Sequence, residues 1–359
     1  MRIAQIAPLT EAVPPRLYGG TERVVHWLTE ELVQLGHDVT LYASGDSRTS
    51  AKLEALWPRA LRSDSSVRDP VALHMTMLEH VLRRAGEFDL LHFHLDYYPF
   101  SLFSRQPTPF LTTLHGRLDL PEHQPLFSAF SSIPVVSISN AQRRPIPHAR
   151  WVATILHGLP ERLLKPLPTK QRYLAFLGRI APEKRTDLAI RIARKCGIPL
   201  KIAAKVDRVD REYYDERIRP MIDGSSIEYI GEISDAQKSD FLGAATALLV
   251  PIDWPEPFGL VMIEAMACGT PVIAFNRGSV PEIVEEGITG FIVEDEEGAI
   301  GAVHRVAELS RAAIRQRFEQ RFTARRMAED YLTVYRSLMQ KDEPRLRLVS
   351  TESLPLHIR

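Results

Sequence analysis

The chain has 359 residues with 45% hydrophobic and 25% charged residues, enough apolar material for two domains at about 100–200 residues each and too little bias for long disorder. Lys+Arg and Asp+Glu both number 45, so no global cation excess exists to hold a nucleic acid. Two cysteines, Cys196 and Cys268, exclude a disulfide framework and a cysteine zinc site, and no apolar run approaches the ~20 residues of a membrane span.

In chain order, Arg2–Ala7 reads as a first strand rather than as a signal peptide, which makes the cytoplasm the expected location and leaves peripheral membrane contact open. Val24, Val25, Leu28, Leu32 and Leu35 recur at helical spacing over Thr21–Leu35, with Gly36 where a C-terminal cap falls. Strands are expected at Asp38–Ala43, Phe88–Phe93, Phe110–Leu114, Val135–Ile138 and Val152–Leu156, with a helix at Val71–Ala85. Gly158–Thr169, with Pro160, Pro166 and Pro168, reads as a linker. The alternation then restarts with strands at Tyr173–Leu177, Leu200–Ala204, Glu228–Ile230, Ala247–Val250, Val272–Phe275 and Gly290–Ile292, and helices at Glu183–Lys195, Asp210–Ile222 and Thr323–Met339. Such alternation implies α/β architecture, with doubly wound parallel sheets in two Rossmann-like domains, 1–160 and 170–322. A C-terminal helix, 323–340, would pack back toward the first domain, and a loose tail, 341–359, would follow. Ligands of such sheets bind at the carboxyl ends of the strands, so loops after strands are where chemistry is sought.

The strongest such segment is Glu256–Thr270, E-P-F-G-L-V-M-I-E-A-M-A-C-G-T. Pro257 suits a first helical position, and the N–H groups of Phe258, Gly259 and Leu260 at a positive helix end suit a phosphate. Glu256 and Glu264, eight residues apart, would lie about 12 Å from each other on a continuous helix. One carboxylate would then reach a sugar and the other a further set of hydroxyls; a helix-dipole Glu and an ordinary surface Glu explain the spacing about as well. In F-L-G-R-I-A-P-E-K-R, Arg179 and Lys184 follow a strand and could neutralise a diphosphate. Gly19 and Gly20 precede the first helix and allow a ligand to approach the backbone. Lys205 ends a strand where it could meet a nucleotide. Asp96 and Tyr97, with Tyr98, are candidate acceptor contacts, and a helix cap explains Ser137, Ser139 and Asn140. His92 and His94 in H-F-H lack a third metal ligand at a convincing spacing, so a structural or acceptor-side role is expected. The chain has no G-x-G-x-x-G, no P-loop and no D-x-D.

The E-x(7)-E arrangement in EPFGLVMIEAMACGTPVIA, followed by GSVPEIVEEGITGFIV, resembles the retaining glycosyltransferases of family 4. YGGTERVV, FLGRIAPEKR, YIGEIS and the long C-terminal helix match the same family, and the likeness runs from residue 1 to about residue 340. The resemblance implies the GT-B fold, two Rossmann-like domains facing across a cleft. It implies a nucleoside diphosphate sugar, UDP- or GDP-linked, bound mainly on the second domain, and a hydroxyl acceptor on the first. No separate cofactor and no metal are implied. His115, in T-L-H-G, corresponds to a family histidine beside the donor sugar. Two positions depart from the pattern: Arg185 stands where the family more often has Gly, and His157–Pro160 where it often has N-G-[IV]-[DE]. A sugar phosphorylase or nucleotide-sugar epimerase of the same fold is the alternative expectation. A catalytically silent nucleotide-sugar-binding subunit is a third, disfavoured by the joint presence of Glu256, Glu264, Arg179, Lys184 and His115.

Overall fold

The computed structural model describes residues 1–17, 19–167 and 172–341. Apolar runs bounded by polar turns form strands, and those in the middle of each sheet bury both faces, as parallel sheets under helices require. In the first half these are β1 (Arg2–Ile6), β2 (Asp38–Ser44), β3 (Lys52–Trp57), β4 (Leu90–Phe93), β5 (Phe110–Thr113), β6 (Val135–Ser137) and β7 (Trp151–Thr154). They make one parallel sheet in the order β3-β2-β1-β4-β5-β6-β7. In the second half, β8 (Leu174–Arg179), β9 (Leu200–Lys205), β10 (Ile227–Gly231), β11 (Ala247–Val250), β12 (Val272–Phe275) and β13 (Gly290–Val293) make a second parallel sheet, β10-β9-β8-β11-β12-β13. Strand order reverses between β1 and β4 in one sheet and between β8 and β11 in the other. Adjacent loops diverge at such a point and open a crevice at the carboxyl edge. The expected α/β class and GT-B architecture are therefore present.

The helix Gly20–Gln34 buries Val24, Val25, Leu28 and Leu32, and the His37 N–H returns to the Leu32 carbonyl after Gly36, closing the last turn. The helix Pro70–Arg83 starts on Pro70, with the Asp69 carboxylate accepting from the N–H groups of Val71 and Ala72. Three expectations need correction. Strand β3 was not anticipated: Lys52 and Glu54 break its apolar pattern, which an edge strand tolerates. The expected helix Asp210–Ile222 is present at Arg211–Met221 but irregular, an α turn at Arg211–Tyr213 passing into a π turn at Tyr214–Ile218 and a 3-10 turn at Arg219–Met221, because Pro220 supplies no N–H and its ring obstructs the preceding turn. The expected helix Glu183–Lys195 begins only at Thr186, after a turn Pro182–Lys184, because Arg185 takes φ 54°, ψ 47°. That left-handed conformation is costly for a side chain bearing Cβ, which gives a physical reason for glycine to be favoured there.

The C-terminal helix Ala324–Lys341 packs on Gly20–Gln34, and its Tyr331 and Tyr335 are fully buried against first-half residues. Within the expected linker, Leu159 donates to the Phe322 carbonyl and accepts from the Ala324 N–H, so the two crossings between halves run side by side. Residues 168–171 of the linker and the tail beyond residue 341 lie outside the described residues. No helix of the described residues is long and apolar enough to cross a membrane.

Candidate active site

The carboxyl edges of the two sheets face each other across a cleft with a cavity of about 470 Å³. Gly19, Gly20, His115, Arg179, Lys184, Lys205, Glu256, Phe258, Gly259, Leu260 and Glu264 all line it. Asp96 and Tyr97 do not line that cavity: both are accessible to solvent after β4, Asp96 at φ 47° with its carboxyl against the His115 backbone and pushed above the usual carboxylate value by desolvation, and the Tyr97 ring against Tyr98 and His123.

The loop after β11 is built by glycine and serine. Gly259 has φ 80°, ψ 70°, incompatible with helix, so the helix runs Leu260–Ala267. Pro257 therefore stands outside the helix rather than at its first position, and the 12 Å helical spacing does not apply to Glu256 and Glu264. A Cβ on Gly278 would lie 2.3 Å from the Glu256 carbonyl oxygen, so only glycine permits this approach. Next to it, the Ser279 N–H donates to the Glu256 carbonyl and its Oγ to the Phe258 carbonyl. From the other domain, Ser139 Oγ donates to the Pro257 carbonyl at 2.7 Å. Thus G-S-V-P and S-I-S-N, distant in sequence, hold E-P-F-G between them. The N–H groups of Phe258, Gly259 and Leu260 carry no hydrogen bond to another described group and remain available to an anion.

The charges here are paired. Lys184 Nζ is ion-paired with Glu256 Oε2, which also accepts from Trp254 Nε1 at 3.0 Å. The ammonium sits 4.7 Å from the centroid of the Trp254 ring. Lys184 and Glu256 were read as separate contacts; the fold makes them one unit, with two ammonium protons and one carboxylate oxygen left over. Arg179 contacts Glu183 at 2.6 Å and lies 3.5 Å from Asp210. Lys205 pairs with Asp207 at 2.9 Å. Glu264 is 3% exposed and bonded to Lys238 Nζ at 2.6 Å. Lys238 reaches Asp235 at 3.1 Å, and Asp235 meets Arg23 of the first-domain helix, also at 3.1 Å. Lys238 and Arg23 were not anticipated, because a buried lysine in a short helix has no sequence signature.

The part of the first-domain side around His115 is neutral, whereas Glu11, Glu22, Arg23 and Arg62 bring charge to the rest of it. His115 Nε2 lies 2.9 Å from His94 Nδ1, and its ring stacks on His157 at 5.3 Å with an 18° interplanar angle. His157 in turn touches the Phe258 ring at 4.8 Å. The departure at residue 157 thus places an imidazole between His115 and the E-P-F-G loop. Burial pushes the His115 imidazole down to about 3 and holds His92, His94 and His157 well below the usual histidine value, so all four rings are neutral near pH 7. Both nitrogens of His92 are engaged by Tyr335 and Thr113, which makes the H-F-H pair structural. Among the described residues, no group of three or more His, Cys, Asp or Glu is placed to hold a metal ion.

The sequence matches the family model of Glycosyl transferases group 1 over residues 162–325 and that of Glycosyltransferase Family 4 over residues 18–179. The chain belongs to this family of glycosyltransferases. D-inositol 3-phosphate glycosyltransferase of Mycobacterium tuberculosis (strain H37Rv) is 34% identical over 135 residues, 36% of this chain. That match takes in only 28% of the length of this curated relative. Sucrose-phosphate synthase from Thermosynechococcus elongatus superposes with a TM-score of 0.76 at 20% identity, covering 95% of this chain and 99% of the other. The Anabaena protein HepE, solved with UDP and glucose, gives 0.74 at 17% identity, covering 94% of this chain and all of the other. At these identities the two solved structures share the fold with this chain.

Proposed function

We propose that this glycosyltransferase moves a hexosyl group from a nucleoside diphosphate sugar, UDP- or GDP-linked, to a hydroxyl acceptor, with retention of anomeric configuration and without a metal. The carrying observation is the convergence of the Lys184 ammonium, Arg179 and the open N–H groups of Phe258–Leu260 on one wall of the cleft. These are positive groups fixed where a departing diphosphate would gather negative charge, the kind of preorganised stabilisation that dominates many enzymes. Glu256, held by Lys184 and Trp254, keeps one oxygen for the donor sugar. Glu264 lies further along the helix at the ribose end, and His115 faces the sugar from the neutral wall. We cast no side chain as a nucleophile; in this reading the leaving phosphate takes the acceptor proton on the same face of the sugar. Closure of the domains would align the substrates and exclude water. The two unpaired cysteines suit a reducing, cytoplasmic setting.

Screening UDP-sugars against GDP-sugars for product release, with the anomeric configuration of the product read by NMR, tests the donor and stereochemical assignments. Activity should survive EDTA; complete loss restored by a divalent ion would overturn the metal-free assignment.

A further inference from the structure

Behind His115 runs a chain of buried hydrogen bonds that reaches the C-terminal helix. Gln5 Nε2 donates to Tyr335 Oη at 3.2 Å, while Gln5 Oε1 meets His94 Nε2 at 2.8 Å. His92 Nδ1 lies 2.7 Å from the same Tyr335 hydroxyl, and His92 Nε2 lies 2.7 Å from Thr113 Oγ1. Gln5, His92, Thr113 and Tyr335 are fully buried, and His94 is 3% exposed. Water cannot supply a missing donor there, so each contact must find its one proton within the chain.

The amide orientation of Gln5 then fixes the rest. Its Oε1 can only accept, so His94 carries its proton on Nε2. Neutral His94 leaves a lone pair on Nδ1, which must receive the Nε2–H of His115. His115 Nδ1 has no partner among the described residues and is not enclosed, on a ring that lines the cleft. The opposite amide orientation would reverse every donor and hand the cleft an N–H instead.

We infer that Gln5 and His94, braced by Tyr335 of the C-terminal helix, are positioning residues that lock His115 as the Nε2–H tautomer, so that the cleft meets a lone pair at Nδ1 and selects a ligand hydroxyl that donates to it. The selection rests on the reading of His115 as a sugar contact; the lock itself does not. The C-terminal helix gains a role on this account, since its tyrosine hydroxyl holds the amide that sets the polarity of the site.

The test is long-range ¹H–¹⁵N correlation of the full chain labelled with ¹⁵N-histidine, without ligand, with His115 signals assigned through His115→Gln. Expected is a pyrrole-type Nε2 and a pyridine-type Nδ1 on His115. A protonated Nδ1, or averaging between tautomers, overturns the lock. His94→Phe, or Gln5→Leu should that variant fail to fold, should let the His115 tautomers average. With the donor identified by the screen above, kcat should fall roughly five- to tenfold while the donor KM stays within about threefold, the loss of one neutral hydrogen bond felt at the sugar. Averaged tautomers with unchanged kcat would overturn the selective role while leaving the lock intact. Failure of every nucleotide sugar in the screen would sink the donor assignment without touching the tautomer result.

Discussion

On the second-domain wall of the cleft, polar groups are charged and arranged as Lys184–Glu256, Arg179–Glu183 and Lys238–Glu264. On the first-domain side, Glu11, Glu22, Arg23 and Arg62 bring charge to part of the cleft, but the face built by His115 and His157, with Gln5, His92 and His94 buried behind it, is a neutral wall linked by hydrogen bonds or ring contacts. Both walls grow from carboxyl ends of parallel strands, yet they solve burial differently. A charge in a low-dielectric site needs an opposite charge, whereas a neutral imidazole needs only a donor and an acceptor. The difference would suit the donor proposed above, which is itself divided into an anionic diphosphate and an uncharged sugar. The charged wall can exchange an internal partner for an anion; the neutral wall can read hydroxyls without repelling or trapping charge.

The largest effect expected from breaking this contrast is acid unfolding led by the neutral wall. In the unfolded chain these histidines take up protons near pH 6.5, but burial depresses them in the folded protein, His115 to about 3. The unfolded state therefore binds more protons below pH 6.5. Stability is present above that pH and is lost progressively as pH falls toward 3, by roughly 1 kcal/mol per ring per pH unit. Denaturant titrations at pH 7 and pH 5 check this, and His94→Phe should make the dependence shallower. Equal stability at both values would mean the rings are not held neutral.

On the charged wall, Glu264→Leu should cost about 3 kcal/mol of folding stability, because Lys238 would remain buried with only Asp235 beside it. Thr113→Val on the neutral wall should cost about 1–2 kcal/mol, the desolvation of His92 Nε2 and Tyr331 Oη. Unfolding free energies in the reverse order would show that the walls are not distinguished by charge. Lys184→Ala should reduce turnover roughly tenfold to a hundredfold, about 1.5–3 kcal/mol in the barrier, with a much smaller change in stability because Lys184 and Glu256 both reach solvent. Turnover like that of the wild type would remove Lys184 from the leaving-group contact.

The finest comparison lies within the charged wall. Glu256→Gln should chiefly lower kcat if, as proposed, this group faces the sugar near the bond that breaks. Glu264→Gln should chiefly raise the donor KM, since contacts remote from the reacting centre act as uniform binding. Steady-state kinetics on folded variants decide it, and reversed signatures would invert the donor along the Leu260–Ala267 helix.

Much of the site was legible in the sequence because strand ends and post-strand loops carry it. Arg179, Lys184, Glu256, Gly259 and Glu264 follow apolar runs whose period and length mark them as strands or a helix, and they do line one cleft. His115 was legible through family resemblance. Asp96 and Tyr97 also follow a strand, but that rule says nothing about which way a loop leaves the sheet: they stay outside the cavity, Asp96 against the His115 backbone and Tyr97 against Tyr98 and His123.

Local order alone therefore determined the alternation of elements, the two parallel sheets and the glycines needed at positive φ, because periodicity and backbone sterics act over a few residues. Only the tertiary structure decided which charges neutralise each other and which protons are shared. Lys184 finds Glu256 across 72 positions, Arg23 finds Asp235 across 212, and Gln5 finds Tyr335 across 330. Such pairs are set by how the two sheets and the returning helix come together in space. Burial then fixes their energies, since the same side chains left in water would need no partner at all.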